Sequence, residues 1–236
     1  MSLRRKKARS SAEIIAQLSA QWGRLWKDQR NRVLIADVIP ALDAKYHLAG
    51  KIASEPGVEE IVEQMVGRIA SAFKDLSNVQ GKRILDIACG SNTSSAPASV
   101  YINTPFGEKR IARATKGYTA QFEPWFCRIL LELGANPVGL DFGDLEGEAF
   151  EHYRVDLGQS GALDFLPGHS FDAVQDSRLF GSPEFTAQFP DSADRLKVAR
   201  EICSQERRLL KAGGFVIHSD AEELTGKRHA SRAPLG

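Results

Sequence analysis

Between Gly81 and Ser219 short apolar runs alternate with helix-length stretches, and that alternation restricts the chain to folds built on a mostly parallel sheet covered on both faces. The first run, Lys82-Arg83-Ile84-Leu85-Asp86-Ile87, rises from a polar turn and falls into a loop of small residues. A strand buried on both faces reads this way, as near-continuous apolar character. Pro124 to Leu133 reads as a helix, stopped by Gly134-Ala135-Asn136 ahead of a second strand, Pro137 to Asp141. Tyr153 to Asp156 is a short third strand, and Phe171 to Asp176, after the turn Pro167-Gly168-His169-Ser170, is a fourth. The helix Ser192 to Leu210 ends at Lys211-Ala212-Gly213-Gly214 and feeds a fifth strand, Phe215 to Ser219. The expected fold class is α/β, a doubly wound, mostly parallel sheet of about five strands with a helical N-terminal segment.

That helical segment is read from spacing. Ile14, Ile15, Leu18, Trp22, Leu25 and Trp26 recur at steps of three and four from Ser11 to about Arg30, the pattern of one amphipathic face. Packing against the main domain is the favoured reading; a lid in which Trp22 and Trp26 cover a substrate is the sharper one. Val33 to Leu42 is a further apolar run, expected to halt at Pro40, and Pro56-Gly57 opens a helix from Val58 to Leu76. The expected organisation is a basic disordered tail over 1–10, a helical segment over 11–80 on the lid or substrate side, and a Rossmann-like domain over 81–219. That domain carries an insertion at 93–120, and a polar, largely disordered tail follows over 220–236.

Charge narrows the partners. The formal net charge is +1, but Arg4, Arg5, Lys6, Lys7 and Arg9 fall in the first decade, so the remainder is net acidic. A nucleic-acid enzyme carries its basic surface on the folded body, which disfavours that class. The head lacks the apolar stretch of a secretory signal and no run approaches the roughly 20 apolar residues of a membrane span, so a cytoplasmic protein with no membrane partner is expected. Cys89, Cys127 and Cys203 are widely spaced and read as reduced, mostly buried thiols, with no metal site indicated.

The chemistry concentrates at strand ends. In an open parallel sheet, ligands sit at the carboxyl ends of the strands, where a Gly-rich turn lets the backbone approach them. Asp86 closes the first strand and Gly90 follows in a loop of small residues; Gly90 tolerates positive φ and has no Cβ to obstruct a ligand. A pyrophosphate would favour free N–H groups without an adjacent carboxylate, so Asp86 favours a cationic ligand over a dinucleotide.

Residues 82 to 219 resemble a class I S-adenosylmethionine (SAM)-dependent methyltransferase. The first motif of that family, an acid at the strand end and a G-x-G-x-G-like loop, reads here Asp86-Ile87-Ala88-Cys89-Gly90-Ser91-Asn92, with Ala88 and Asn92 in place of the outer glycines. Val138-Gly139-Leu140-Asp141 resembles the second strand, and the resemblance implies that Asp141, followed by Phe142, takes the ribose hydroxyls. It likewise implies that Asp156 and Leu157 hold the adenine, and that Phe171 to Asp176 lies beside the methyl group. Arg208 to Phe215 resembles the turn into the fifth strand. The implied cofactor is SAM, bound by Asp86, Ala88, Cys89, Gly90, Ser91, Asn92, Asp141, Phe142, Asp156, Leu157 and Asp176. The helix and antiparallel hairpin that commonly follow the fifth strand in the family have no counterpart here, which leaves a sheet edge to be covered and makes a homodimer a reasonable expectation.

Methyl transfer from a sulfonium is a direct displacement in which alignment supplies much of the rate, so a general base is optional. Asp176 is the leading candidate for one, ahead of Glu184 and His169, on strand-end position; a carboxylate capping the next turn is its alternative. The acceptor segment, Asp176 to Phe185, lacks the Asn-Pro-Pro-aromatic motif of many nitrogen-directed members of the family. Tyr101, Phe106, Lys109, Arg110, Arg113, Lys116, Tyr118 and Phe122 give the insertion a basic and aromatic character, read first as a solvated lid face. The expected activity is methyl transfer to a small-molecule acceptor. An RNA methyltransferase and a non-catalytic SAM-binding protein on a degenerate fold are the alternatives, with a nicotinamide-dependent oxidoreductase disfavoured by Asp86 and the missing G-x-G-x-x-G.

Overall fold

The computed structural model describes residues 9–55, 57–92, 100–104, 107–112 and 120–226, with the backbone alone for 100–104, 107–112 and 183–184. Helices α1 (Ser11–Gly23), α2 (Gln29–Tyr46), α3 (Leu48–Ser54) and α4 (Gly57–Phe73) precede strand β1 (Arg83–Ile87). A hairpin, β2 (Val100–Thr104) with β3 (Gly107–Ala112), follows, then α5 (Trp125–Glu132), β4 (Asn136–Asp141), β5 (Glu151–Arg154) and β6 (Phe171–Asp176). Helices α6 (Pro183–Gln188) and α7 (Ser192–Leu209), strand β7 (Leu210–His218) and helix α8 (Asp220–Thr225) are the last of the described elements.

Five strands form one sheet in the order β5-β4-β1-β6-β7, every pair parallel. Side-chain alternation on β1 shows why both faces must be covered. Ile84 enters the core made with α1, α2, α4 and α5, whereas Leu85 and Ile87 enter the core made with α7. The fold is the doubly wound α/β arrangement expected from the sequence, and strand order reverses between β4 and β6 on either side of β1. That reversal is where open sheets of this kind leave a crevice.

The N-terminal helices pack as the apolar spacing requires. Ser10 caps α1 in a reciprocal capping box with Glu13, and Ile14, Leu18, Trp22 and Trp26 are buried in the core against the sheet. Neither tryptophan lines the cavity described below, so packing is what the structure shows and the lid reading fails. Pro40 does not halt its segment: α2 runs through it to Tyr46, because Ile35, Val38, Ile39 and Leu42 are all buried on one side. Tertiary burial there outweighs the roughly 3 kcal/mol that an interior proline costs a helix.

A second correction falls at the end of the chain, where residues from Asp220 onward were expected to be largely disordered. The first of them form α8, capped by Ser219, whose side chain accepts from the Glu222 N–H, and packed on α7. The expectations for residues 1–8 and 227–236, and for the side chains of the insertion, lie outside the described residues. All three cysteines are buried free thiols. No described helix is long and apolar enough to cross a membrane.

Candidate functional site

The carboxyl ends of β1, β4 and β5 open onto one cavity of about 350 Å³. Its walls come from the loop after β1, the residues following β4 and β5, Ile61 and Met65 of α4, the segment 121–126 and the turn after β6. Asp86, Ala88, Cys89, Gly90, Ser91, Asp141, Phe142, Asp156 and Leu157, nine of the eleven residues implied for the cofactor, all line it.

Asp86 is 2 % exposed and receives a hydrogen bond from Gln175 Nε2 at 3.2 Å, with the Cys127 thiol 3.8 Å away. Burial pushes its carboxyl up to about 7, against the opposing pull of the Gln175 hydrogen bond and the Arg68 charge. Burial likewise raises the Cys127 thiol to about 11, so that thiol stays protonated beside the carboxyl. The site therefore holds an acid that ionises near neutrality and gains from a cation placed against it.

The loop after β1 is tied down residue by residue. Cys89 N–H donates to Leu140 O at 2.9 Å, Gly90 N–H to Asp141 Oδ2 at 3.0 Å and Ser91 N–H to Phe122 O at 2.9 Å. Gly90 has φ +95°, and a Cβ there would lie 2.1 Å from the Phe122 carbonyl oxygen. Glycine is needed at this position because the 122–123 backbone presses against the loop, a close approach within the protein rather than one to a ligand. Ala88 also sits at positive φ, 60°, where the resembling motif has a glycine. Ala88→Gly is therefore expected to stabilise the chain by about 1 kcal/mol, read as a higher urea midpoint. An unchanged or lower midpoint would show that the left-handed turn is not strained.

Asp141, which lines the cavity, uses one oxygen for Gly90 N–H and the other for Gly143 N–H at 2.8 Å, with the Phe142 N–H a further donor to the carboxylate. Burial raises its pKa, opposed by those backbone donors. Asp156, just beyond β5, is half-exposed and accepts from Gly158 N–H and Gln159 Nε2. Although burial works the other way, those hydrogen bonds and one from Gln188 hold it below the ordinary carboxylate range. Leu157 is buried next to it and Phe142 is exposed at the rim.

Two implied residues are not part of the lining. Asn92 accepts from Arg128 Nη2 at 2.9 Å and donates to Glu146 O, so it braces the wall from behind. Asp176 is fully buried and turned toward α8, where its carboxylate accepts from the Asp220 and Ala221 N–H groups and from the Ser219 hydroxyl. Burial and the neighbouring Glu206 and Asp220 charges hold Asp176 well above the usual carboxylate range. It is a structural carboxylate at the start of α8, and not the cap of the turn that follows β6. His169 lies at the amino end of β6, with Nδ1 at 3.0 Å from Leu210 O, away from the cavity, and the Glu184 side chain lies outside the described residues.

A buried charge network behind the cavity escaped the sequence reading. Arg128 of α5 is 3 % exposed in its side chain; it pairs with Glu123, with Glu148 at 2.5 Å and with Asn92, and its guanidinium lies 4.1 Å from the Tyr46 ring centre. Lys51 of α3 reaches the same Glu123 at 2.5 Å. This network joins α3, α5, the loop after β1 and the 148 loop, so the cavity wall is fixed by charge pairs among distant segments. The only sequence signal for it was an arginine inside the apolar run Trp125 to Leu131. No protein-family model, curated protein or solved structure matches the chain.

Proposed function

We propose that this protein is a cytoplasmic SAM-dependent methyltransferase acting on a small-molecule acceptor. The observation that carries the reading is the convergence of Asp86, Asp141 and Asp156, from the ends of the consecutive sheet neighbours β1, β4 and β5, on one cavity beside a left-handed, small-residue loop. In this reading Asp141 accepts from the ribose hydroxyls, Leu157 packs on the adenine and Asp156 accepts from its amine. Asp86, buried and ionising near neutrality, faces the positively charged end of the ligand. Catalysis rests on alignment over the turn after β6; Asp176, committed to α8, takes no proton in it.

The reading is tested by calorimetric titration of the full chain with S-adenosylhomocysteine. Saturable binding in the micromolar range is expected. Absence of binding at millimolar ligand contradicts the proposal, and stabilisation by NAD in its place points to a nicotinamide enzyme.

A further inference from the structure

The cofactor reading accounts for the β1, β4 and β5 side of the cavity and leaves the β6 side unassigned. One lining arginine stands there, and a second, Arg68, lies outside the lining but acts on it by charge. Arg178, in the turn after β6, lines the cavity; it holds φ +64°, a left-handed conformation uncommon for a residue with a long side chain. Arg68 follows Ile61 and Met65, both lining residues, along one face of α4. Both arginines are half-buried.

Neither has an ion-pair partner among the described residues. The one oxygen acceptor of the Arg178 guanidinium is the Gln121 carbonyl at 3.2 Å, and the one polar contact of Arg68 is the Met65 sulfur at 4.0 Å. Carboxylates act on them from beyond ion-pair distance, Asp220, Asp86, Asp176 and Glu223 on Arg68 and Asp220 and Glu60 on Arg178, and the three most buried of these have other donors. Asp220 takes His218 Nε2 at 2.7 Å on one oxygen and the Arg178 backbone N–H on the other. Asp176 takes the N-terminus of α8, and Asp86 takes Gln175. Burial depresses the pKa of both guanidiniums, and the charge of Arg68 depresses that of Arg178 further. A partly desolvated cation held near a second one is an unfavourable arrangement, which an anion in the cavity at Arg178 would relieve.

The surroundings describe the rest of such a ligand. Arg178 lies 5.1 Å from the Phe122 ring centre, and Phe122, Leu179 and Phe185 line the cavity around it. We propose that Arg178 forms the anion-binding end of the acceptor subsite, with the charge of Arg68 adding to it, and that this subsite takes a small molecule with an aromatic or apolar body and a carboxylate or phosphate group. The assignment of this subsite to the acceptor rests on the methyltransferase reading; the anion site itself does not.

The test is titration of the full chain, alone and saturated with S-adenosylhomocysteine, with benzoate, phenyl phosphate and neutral benzyl alcohol. At least one of the anions is expected to bind about tenfold or more tightly than benzyl alcohol, as befits charge-assisted hydrogen bonds. Whether benzoate or phenyl phosphate binds better tells a carboxylate from a phosphate acceptor. Arg178→Gln is expected to weaken anion binding about tenfold and Arg68→Gln, which acts through its charge alone, by less, with Arg178→Lys retaining most of it. Failure of both anions to outbind benzyl alcohol on the unmodified chain overturns the proposal without recourse to any variant, as does equal anion binding by folded Gln variants. Arginine-dependent anion binding without S-adenosylhomocysteine binding would keep the subsite and refute the methyltransferase reading; the reverse outcome would do the opposite.

Discussion

Asp86→Asn is expected to stabilise the folded chain at pH 8 by as much as about 4 kcal/mol, while weakening its hold on a cationic ligand. Burial raises the Asp86 carboxyl to about 7, whereas the same group in the unfolded chain ionises near 3.8. The folded state therefore retains a proton that the unfolded state has lost between those values. The contribution of Asp86 to stability is complete below about pH 4 and is lost as pH rises through about 7. Asparagine copies the neutral acid and accepts from Gln175 in the same way, so its advantage is absent in acid and grows toward pH 8. Urea unfolding of both proteins from pH 4 to 8 measures this difference directly. A destabilised variant at pH 8 would show that the ionised carboxylate is compensated in the fold by a donor other than Gln175. The same linkage sets the ligand's pH dependence: a cation seated against Asp86 displaces a proton below about pH 7, so its affinity falls as the solution is acidified. A destabilising group kept where a cation would bind is the exchange of stability for function expected of a site.

Arg128→Met is expected to destabilise the chain by about 3–5 kcal/mol. The side chains of Glu123 and Glu148 are 0 % and 2 % exposed, and removing the guanidinium leaves Glu148 without its partner and Glu123 with Lys51 alone. The cost lies in the stranded charges more than in the lost pair. Adding Glu148→Gln to Arg128→Met is therefore expected to recover part of the loss. Thermal unfolding reads it as a drop in melting temperature of roughly 10 °C. A change of under about 1 kcal/mol would mean that water reaches the network and that it does not brace the cavity wall.

The three central strands were legible because parallel strands buried on both faces must be apolar, short and stopped by turns; β6 has the bounds that its sequence pattern indicates, β1 and β4 come within a residue, but β5 lies two residues earlier than expected and β7 starts five residues earlier, through the stretch Lys211 to Gly214 read as a turn. Strand-end position alone did not reveal which face a side chain takes. Asp86 pairs in register with Gln175 and Ile87 with Asp176, so Asp176 points to the α7 side while Asp86 points to the α4 and α5 side. A one-residue difference in parity separates a cavity residue from a helix cap, and that parity follows from register, which the sequence does not display. Helix α8 was hidden for a related reason: its segment is polar, and its start is held by Asp176 and Ser219. Pro40 misled because local propensity is a weak guide where one face of a helix is wholly buried. The arginines and glutamates around the cavity were invisible as a group, since their pairings join residues far apart in the chain.

The most direct test of the central proposal is a structure of the chain with S-adenosylhomocysteine. The ligand is expected in the cavity at the ends of β1, β4 and β5, with its ribose hydroxyls on Asp141, its adenine against Leu157 and its sulfur turned toward the β6 side, where Arg178 stands. A ligand bound anywhere else, or a cavity that stays empty at saturating ligand, would contradict it.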